Sequence, residues 1–244
     1  MNQDATKFSA TDTAATFRLL MEGRRAIRRF TSEPVPEHVI QQCLETAALA
    51  PSSCNLQPWS FHVVRSPELL QQLQPVCLNQ NAAKAPLIIA VLARPDTWKS
   101  ACTNVLKYWP EKDVPKAIAS FYTGIAPFQY NQGRWGSLGL FKRLLIWWTG
   151  IKRPVMRGPN SVAEMKLWAV KSSSLAAQSL MLAFQSHGYG TCPMEGFDEK
   201  RLRTLLPIPA KAIPIMLVAV GVPGDRAVHN PRLRFPIGQC VTWH

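Results

Sequence analysis

The feature that most constrains the fold is a long helical pattern between residues 161 and 188. Ser161 is followed three positions later by Glu164, the capping-box arrangement that begins many helices. Apolar residues such as Trp168 and Leu180 continue the pattern until Gly188. At 1.5 Å per residue this helix would span roughly 40 Å, enough to form the central spine of a domain.

Shorter elements surround this spine and predict a mixture of helices and strands. Apolar, β-branched runs predict strands at residues 61–64, 87–93 and 213–220. Apolar residues at helical spacing predict helices at residues 14–22, 36–49 and 198–206. Gly23 is a suitable stop for the first of these helices, and Pro51 terminates the second.

Three arginines, Arg24, Arg25 and Arg28, follow the first predicted helix. Residues four apart share a helix face, and guanidinium groups match phosphate oxygens in a two-pronged geometry. The cluster therefore indicates a site for the dianionic group of a small phosphorylated ligand. The alternative is an ordinary surface cluster, because positive charge favours the C-terminal end of a helix.

A polar loop bounded by two prolines follows at residues 51–58. Its compact hydrogen-bonding side chains suit contact with a planar polar heterocycle, and they are Ser52, Ser53, Asn55 and Gln57. Turn capping is the alternative role for such residues. Together with the arginines, the loop suggests a binding site for flavin mononucleotide (FMN).

Four blocks of sequence, in the same order, resemble the FMN-dependent nitroreductase family: residues 24–30, 50–59, 188–197 and 232–236. The resemblance extends over residues 16–93 and from residue 161 to the C-terminus. Two departures are visible. Ala26 stands where the family often has serine, so only its backbone amide could serve the cofactor, and Arg232 replaces a more usual lysine.

The resemblance implies an α+β nitroreductase-like fold in which residues 1–244 form one domain, with a mostly antiparallel central sheet surrounded by helices. It also implies a homodimer with two FMN sites at the subunit interface, where residues 51–55 come from the other subunit. Residues 193–196 would lie along the flavin, although they could equally be a turn. The implied cofactor-binding residues are Arg24, Arg25, Ala26, Arg28, Pro51, Ser52, Ser53, Asn55, Gln57, Asn79, Pro193, Met194, Glu195, Gly196, Arg232 and Arg234.

In the reaction that the resemblance implies, NADH or NADPH delivers hydride to the flavin, and an oxidised acceptor then takes the place of the nicotinamide. The acceptor would be a nitroaromatic, a quinone or a similar small molecule. Specialised flavin chemistry on the same fold, such as reductive dehalogenation or flavin fragmentation, is the alternative. The flavin would carry the chemistry, so no catalytic side chain is predicted.

Other kinds of site have little support in the sequence. There is no dinucleotide-binding glycine motif, phosphate-binding loop, nucleophile elbow or zinc-protease motif. The six cysteines form no C-x-x-C pair and have no histidines at ligand spacing, so we expect neither a metal nor a disulfide framework.

The formal charge of +13 would suit nucleic acid, an anionic membrane or acidic ligands. A cluster of arginines around one phosphate accounts for part of it. A basic binding protein without enzymatic activity is the alternative, but it would not explain the four flavin-type blocks, and we expect no nucleic-acid partner. The start of the sequence has no secretory pattern, and no run reaches ~18 apolar residues, so a cytoplasmic location is expected.

Residues 98–159 are rich in aromatic and cationic side chains and match the family poorly. The resemblance implies a lid that controls substrate access to the flavin. Two alternatives stay open. The aromatic residues could simply pack together in a pair of satellite helices, or residues 138–151, flanked by Arg134, Lys152, Arg153 and Arg157, could lie on an anionic membrane.

Overall fold

An antiparallel sheet of four strands forms the centre of the described part of the molecule. The strands are β1 (Trp59–Val64), β2 (Leu87–Ala93), β3 (Gly190–Met194) and β4 (Ile213–Gly221), in the order β1-β2-β4-β3. This computed structural model describes residues 10–133 and 136–244. Arg134 and Trp135, which belong to the predicted lid, lie outside the described residues.

Helices cover the sheet and account for most of the remaining structure. They are α1 (Ala10–Gly23), α2 (Glu37–Ala48), α3 (Pro67–Leu73), α4 (Trp98–Lys107), α5 (Lys116–Ser120), α6 (Ala126–Tyr130), α7 (Leu138–Gly150), α8 (Val162–Ser186) and α9 (Glu199–Leu205). A π-helical turn, Phe121–Ile125, joins α5 to α6. The prediction of an α+β fold with an antiparallel central sheet is confirmed.

Strand β2 lies inside the sheet and is buried on both faces. It pairs with β1 on one side and with β4 on the other. Successive residues of a strand point to opposite faces, so Ile89 packs with α2 and α8 while Ile88 packs on the side of α3 and α9. The sheet is therefore a middle layer between two layers of helices.

Helix α8 is the long spine that the sequence predicts. The Ser161 hydroxyl accepts a hydrogen bond of 3.1 Å from the Glu164 backbone N–H, which satisfies one of the free donors at the start of the helix. The 25 residues of α8 contact α2 and all four strands. Asp198 caps α9 in the same way, through the backbone N–H of Arg201.

Strand β3 is the main element that the sequence analysis did not predict as a strand. It lies at an edge of the sheet, where it pairs only with β4. Pro193 occupies a strand position opposite Val218. An edge strand tolerates proline because a missing backbone donor can face away from the neighbouring strand.

The idea that Arg24, Arg25 and Arg28 share a helix face is wrong. Helix α1 ends at Gly23, where the Arg24 N–H makes a last helical hydrogen bond of 3.1 Å to the Leu20 carbonyl oxygen, and residues 25–30 are not helical. The Ile27 N–H donates to the Thr191 carbonyl oxygen at 2.9 Å instead, so this segment lies beside β3. The arginines are placed by pairing with the sheet rather than by helical periodicity.

Parts of the segment 98–159 pack into the core. Cys102 of α4 and Tyr130 of α6 belong to a buried cluster with Trp168 of α8, and the Tyr130 and Trp168 rings lie 4.7 Å apart. Helix α7 is different, because its three aromatic residues are all exposed. Within residues 10–133 and 136–244, no helix is long and apolar enough to cross a membrane. The cytoplasmic location stays a prediction.

Candidate functional site

Arginines from both ends of the chain line one cavity of about 180 Å³. Arg24, Arg25 and Arg28 come from the segment after α1, and Arg232 and Arg234 come from the C-terminal arm. Ala26, residues 228–231 and Leu233 complete the walls. The structure thus brings together the five arginines that the sequence analysis assigned to a cofactor phosphate, together with Ala26.

Backbone hydrogen bonds hold this arrangement in place. The Arg28 N–H donates to the Ala227 carbonyl oxygen at 2.9 Å, which joins the first segment to the start of the C-terminal arm. The Arg25 guanidinium donates to the carbonyl oxygen of Asn230, and that of Arg232 donates to the carbonyl oxygen of Glu22. Hydrogen bonds within the protein therefore hold the segment after α1 against the C-terminal arm without a ligand.

The electrostatics of the cavity favour an anion. Among the described residues, none of the ion pairs involves an arginine that lines this cavity. Nη1 of Arg24 is buried and has no hydrogen-bond partner. Burial lowers the pKa of Arg24, and the nearby charges of Arg232 and Arg234 lower it further. A buried donor without a partner is costly, so the site fits a phosphate group that would accept this bond.

Strand β3 and Asn79 lie next to this cavity. The Asn79 side-chain amide is 4.0 Å from Cys192 Sγ, and its oxygen accepts a hydrogen bond from the Ala82 N–H. Burial raises the pKa of the Cys192 thiol, while the charges of Arg28 and Arg24 lower it. Residues 24–28, Asn79 and β3 therefore form one continuous region.

The end of β3 leads into the residues predicted to lie along the flavin. The Met194 side chain is buried in the core, so only its backbone could face a ligand. Glu195 and Gly196 are exposed, and the Gly196 carbonyl oxygen accepts a hydrogen bond of 2.8 Å from the Leu78 N–H. This bond ties the turn to the region of Asn79.

Thr191 is a residue of this region that the sequence analysis missed. Its hydroxyl oxygen is buried and has no hydrogen-bond partner, and its carbonyl oxygen pairs with Ile27. A signal was present in the sequence, because Thr191 lies inside the third of the matched blocks.

The proline-bounded loop has a distinctive backbone. Cys54, Asn55 and Gln57 have φ values of 54°, 48° and 44°, in the left-handed region that non-glycine residues seldom adopt. The Ser52 hydroxyl accepts a hydrogen bond of 2.9 Å from the Gln57 N–H, and the Gln57 amide donates to Asn55 Oδ1 at 3.2 Å. Some of the polar side chains of the loop therefore stabilise the loop itself. Backbone strain of the kind seen at Cys54, Asn55 and Gln57 is concentrated at functional sites.

The loop does not line the arginine cavity. Pro51, Ser52 and Ser53 line a cavity of about 550 Å³ beside α8, together with Leu167 and Leu175. Asn55 and Gln57 line another cavity, of about 770 Å³, against α4. The structure therefore separates the two halves of the predicted site within one chain.

Comparisons with known proteins extend over almost the whole chain. The family model described as "Nitroreductase family" matches residues 21–222. An NADH dehydrogenase of Thermus thermophilus is 29% identical over 223 residues, covering 90% of this chain and 92% of that protein. Iodotyrosine deiodinase of Nematostella vectensis is 25% identical, covering 93% of this chain and 75% of that protein.

The fold is also similar to solved structures over almost the whole chain. A protein of Exiguobacterium sibiricum whose structure was solved in complex with FMN superposes with a TM-score of 0.67. It is 24% identical, and the match covers 93% of this chain and 97% of that chain.

Proposed function

The chain belongs to the nitroreductase family, and from this membership we propose that it is an FMN-dependent oxidoreductase that takes hydride from NADH or NADPH and reduces a small acceptor. The observation that carries the proposal is the arginine cavity, where a buried guanidinium nitrogen of Arg24 has no partner. The name of the Thermus relative and the FMN-bound neighbour support the same conclusion.

Arg24, Arg28 and Arg232 would hold the phosphate of FMN, with Arg25 and Arg234 adding positive charge. The backbone of Pro193, Met194, Glu195 and Gly196 and the amide of Asn79 would lie along the rest of the cofactor. FMN held by these residues would supply the hydride-transfer chemistry between the nicotinamide and the acceptor. The chain's own residues would bind the phosphate end and orient the flavin.

The size of the arginine cavity supports a shared site. At about 180 Å³ it is smaller than the ~300–1,000 Å³ of most cofactor pockets, so it accommodates little more than the phosphate end. We propose that a second copy of the chain supplies Pro51, Ser52, Ser53 and Asn55, with Gln57 supporting the loop, in a homodimer. One chain alone would bind FMN weakly.

The surface of α8 is consistent with this homodimer. Leu167 and Leu175 are exposed on α8, and both line the cavity that contains Ser52 and Ser53. Exposed apolar side chains that are grouped at one place often mark an interface. A second chain packed here would cover these leucines and place its own arginine cavity near the loop.

Residues 98–159 would form a lid within this single domain and restrict the acceptor. The Tyr122 hydroxyl donates a hydrogen bond of 2.9 Å to the Cys54 carbonyl oxygen, and the Ser53 and Tyr130 hydroxyls are 3.0 Å apart. Aromatic residues of the lid thus contact the loop that would face the flavin. Flat acceptors such as nitroaromatics and quinones suit such walls.

The proposed function is tested with the purified protein. Its absorption spectrum should show bound flavin, and anaerobic addition of NADPH or NADH should bleach that chromophore. Addition of a nitroaromatic or a quinone should restore it. A colourless protein that binds no FMN on titration would contradict the proposal.

Reductive dehalogenation is a second candidate, favoured by the similarity to iodotyrosine deiodinase. The discriminating experiment compares release of iodide from an iodinated phenol with turnover of nitroaromatic and quinone acceptors under the same anaerobic conditions. Steady turnover of the nitro or quinone compounds without iodide release supports the first candidate, and the reverse result supports the second.

A further inference from the structure

Helix α7 places an almost entirely apolar face in solvent. Trp147 and Trp148 are 64% and 66% exposed. The same side of the helix carries other exposed apolar residues, and together they form what we call the α7 apolar face: Leu140, Phe141, Leu144, Trp147, Trp148 and Ile151. A surface helix of a soluble protein normally turns such residues toward the core.

Contacts on the opposite side hold the helix in this orientation. A Cβ atom at Gly139 would be 2.1 Å from the Asn160 carbonyl oxygen, so the backbone of α7 lies directly against residues 155–160. The Lys142 ammonium is buried and donates a hydrogen bond of 3.0 Å to the Gln129 carbonyl oxygen. Arg143 pairs with Glu164 of α8 at 3.5 Å. The small and polar side of α7 is therefore the packed side.

The charge around the α7 apolar face has one sign. Between residues 114 and 163 the sequence has seven lysines and arginines and no aspartate or glutamate. Three of these cations, Lys152, Arg153 and Arg157, are exposed immediately after α7 ends. Tryptophan at an apolar surface with flanking cations is the composition of segments that bind acidic lipid bilayers.

We propose that the α7 apolar face docks on a bilayer that contains acidic phospholipids, with Lys152, Arg153 and Arg157 at the headgroups. The helix has 13 residues and would lie in the interface without crossing the membrane. A second copy fits less well, because it carries the same formal charge of +13 and would not supply negative charge to these cations.

Vesicle flotation of the full-length, flavin-loaded protein tests this inference. Vesicles of phosphatidylcholine with about one third phosphatidylglycerol are compared with pure phosphatidylcholine at low ionic strength. We expect the protein to float with the acidic vesicles and to be released by added salt, since screening weakens headgroup attraction. No flotation, or equal flotation with both vesicles, would overturn the inference.

Two variants separate the apolar and the cationic contributions. Trp147→Ser with Trp148→Ser, and Lys152→Gln with Arg153→Gln, should each lower the bound fraction about tenfold. All four side chains are exposed, so folding and flavin content should not change. Tyr108→Ser is the control for an exposed aromatic residue elsewhere, and Lys99→Gln with Lys200→Gln removes the same charge elsewhere.

The controls should bind like the unmodified protein. Equal loss of binding in the Lys99 and Lys200 control would show that overall charge, and not this face, is responsible, which contradicts the inference. Light scattering addresses a second copy. One result would show that another chain covers the α7 apolar face and would overturn the inference. In that result the unmodified protein does not bind the vesicles, and the Trp147→Ser, Trp148→Ser variant forms a smaller assembly than the unmodified protein and the controls.

Discussion

Arg232 and Arg24 are joined directly, although 208 positions separate them in the sequence. Nη2 of Arg232 donates a hydrogen bond of 2.7 Å to the Arg24 carbonyl oxygen. The bond anchors the C-terminal arm at the end of α1 and brings two guanidinium groups to the same cavity. The proposed phosphate site therefore depends on both ends of the chain.

Arg24→Gln should weaken FMN binding roughly ten- to hundredfold. A hydrogen bond to a charged group contributes about 1.5–3 kcal/mol, and the buried Nη1 of Arg24 has no partner within the protein. Fluorescence titration of the flavin-free protein with FMN measures the change. Arg29→Gln is the matched control, because Arg29 is exposed and does not line the cavity. Equal affinities in the two variants would contradict this role of Arg24.

Gly190→Ala should destabilise the protein by about 1–3 kcal/mol and weaken FMN binding. A Cβ at this position would be 2.6 Å from Ile27 Cγ1, so β3 and the arginine segment would have to move apart. Gly238→Ala is the control, since nothing lies within 4 Å of its added Cβ. Urea denaturation measures both variants, and an unchanged midpoint for Gly190→Ala would show that this close approach is not required.

Leu175→Arg should convert the proposed homodimer to a monomer and lower flavin content with it. The charged side chain would have to be buried without a partner at an apolar interface on α8, which is strongly unfavourable. Light scattering and absorbance of the purified variant measure the two effects. Leu49→Arg controls for charge at another exposed leucine. A Leu175→Arg variant that stays dimeric and yellow would place the interface elsewhere.

Stability should decrease as the pH falls below 6.5, in part because of His62. Burial lowers the pKa of His62 from its ordinary value of 6.5, and the nearby charge of Arg94 lowers it further. Below pH 6.5 the unfolded chain therefore binds a proton that the folded protein does not, so protonation favours unfolding. His62→Gln should flatten the free energy of unfolding between about pH 5 and 7. An identical pH dependence in both proteins would rule this out.

The sequence predicts best those elements whose ends are marked by specific residues. Ser161 and Asp198 cap α8 and α9 as expected, and the uninterrupted apolar run of β2 matches its observed bounds. Strand β3 was missed because Pro193 and its glycine neighbours resemble a turn when the pairing with β4 is unknown. Strand pairing depends on long-range contacts that a local pattern does not contain.

The sequence identified which arginines line the candidate site, but it did not predict how the backbone positions them. Local spacing suggested a helical face for Arg24 and Arg28. Backbone hydrogen bonds from Ile27 to Thr191 and from Arg28 to Ala227 instead position the segment that carries them. The outward orientation of α7 depends on Gly139 meeting the Asn160 backbone, a contact that helical periodicity cannot anticipate. The flavin contacts of the 16 assigned residues stay predictions.

The most direct test of the phosphate site compares FMN with riboflavin, which lacks the phosphate. Flavin-free protein is titrated with each, and the same is done for Arg24→Gln combined with Arg232→Gln. Our account predicts that the unmodified protein binds FMN at least about a hundredfold more tightly than riboflavin, and that the arginine variant loses most of this preference. Equal affinity of the unmodified protein for FMN and riboflavin would contradict the account.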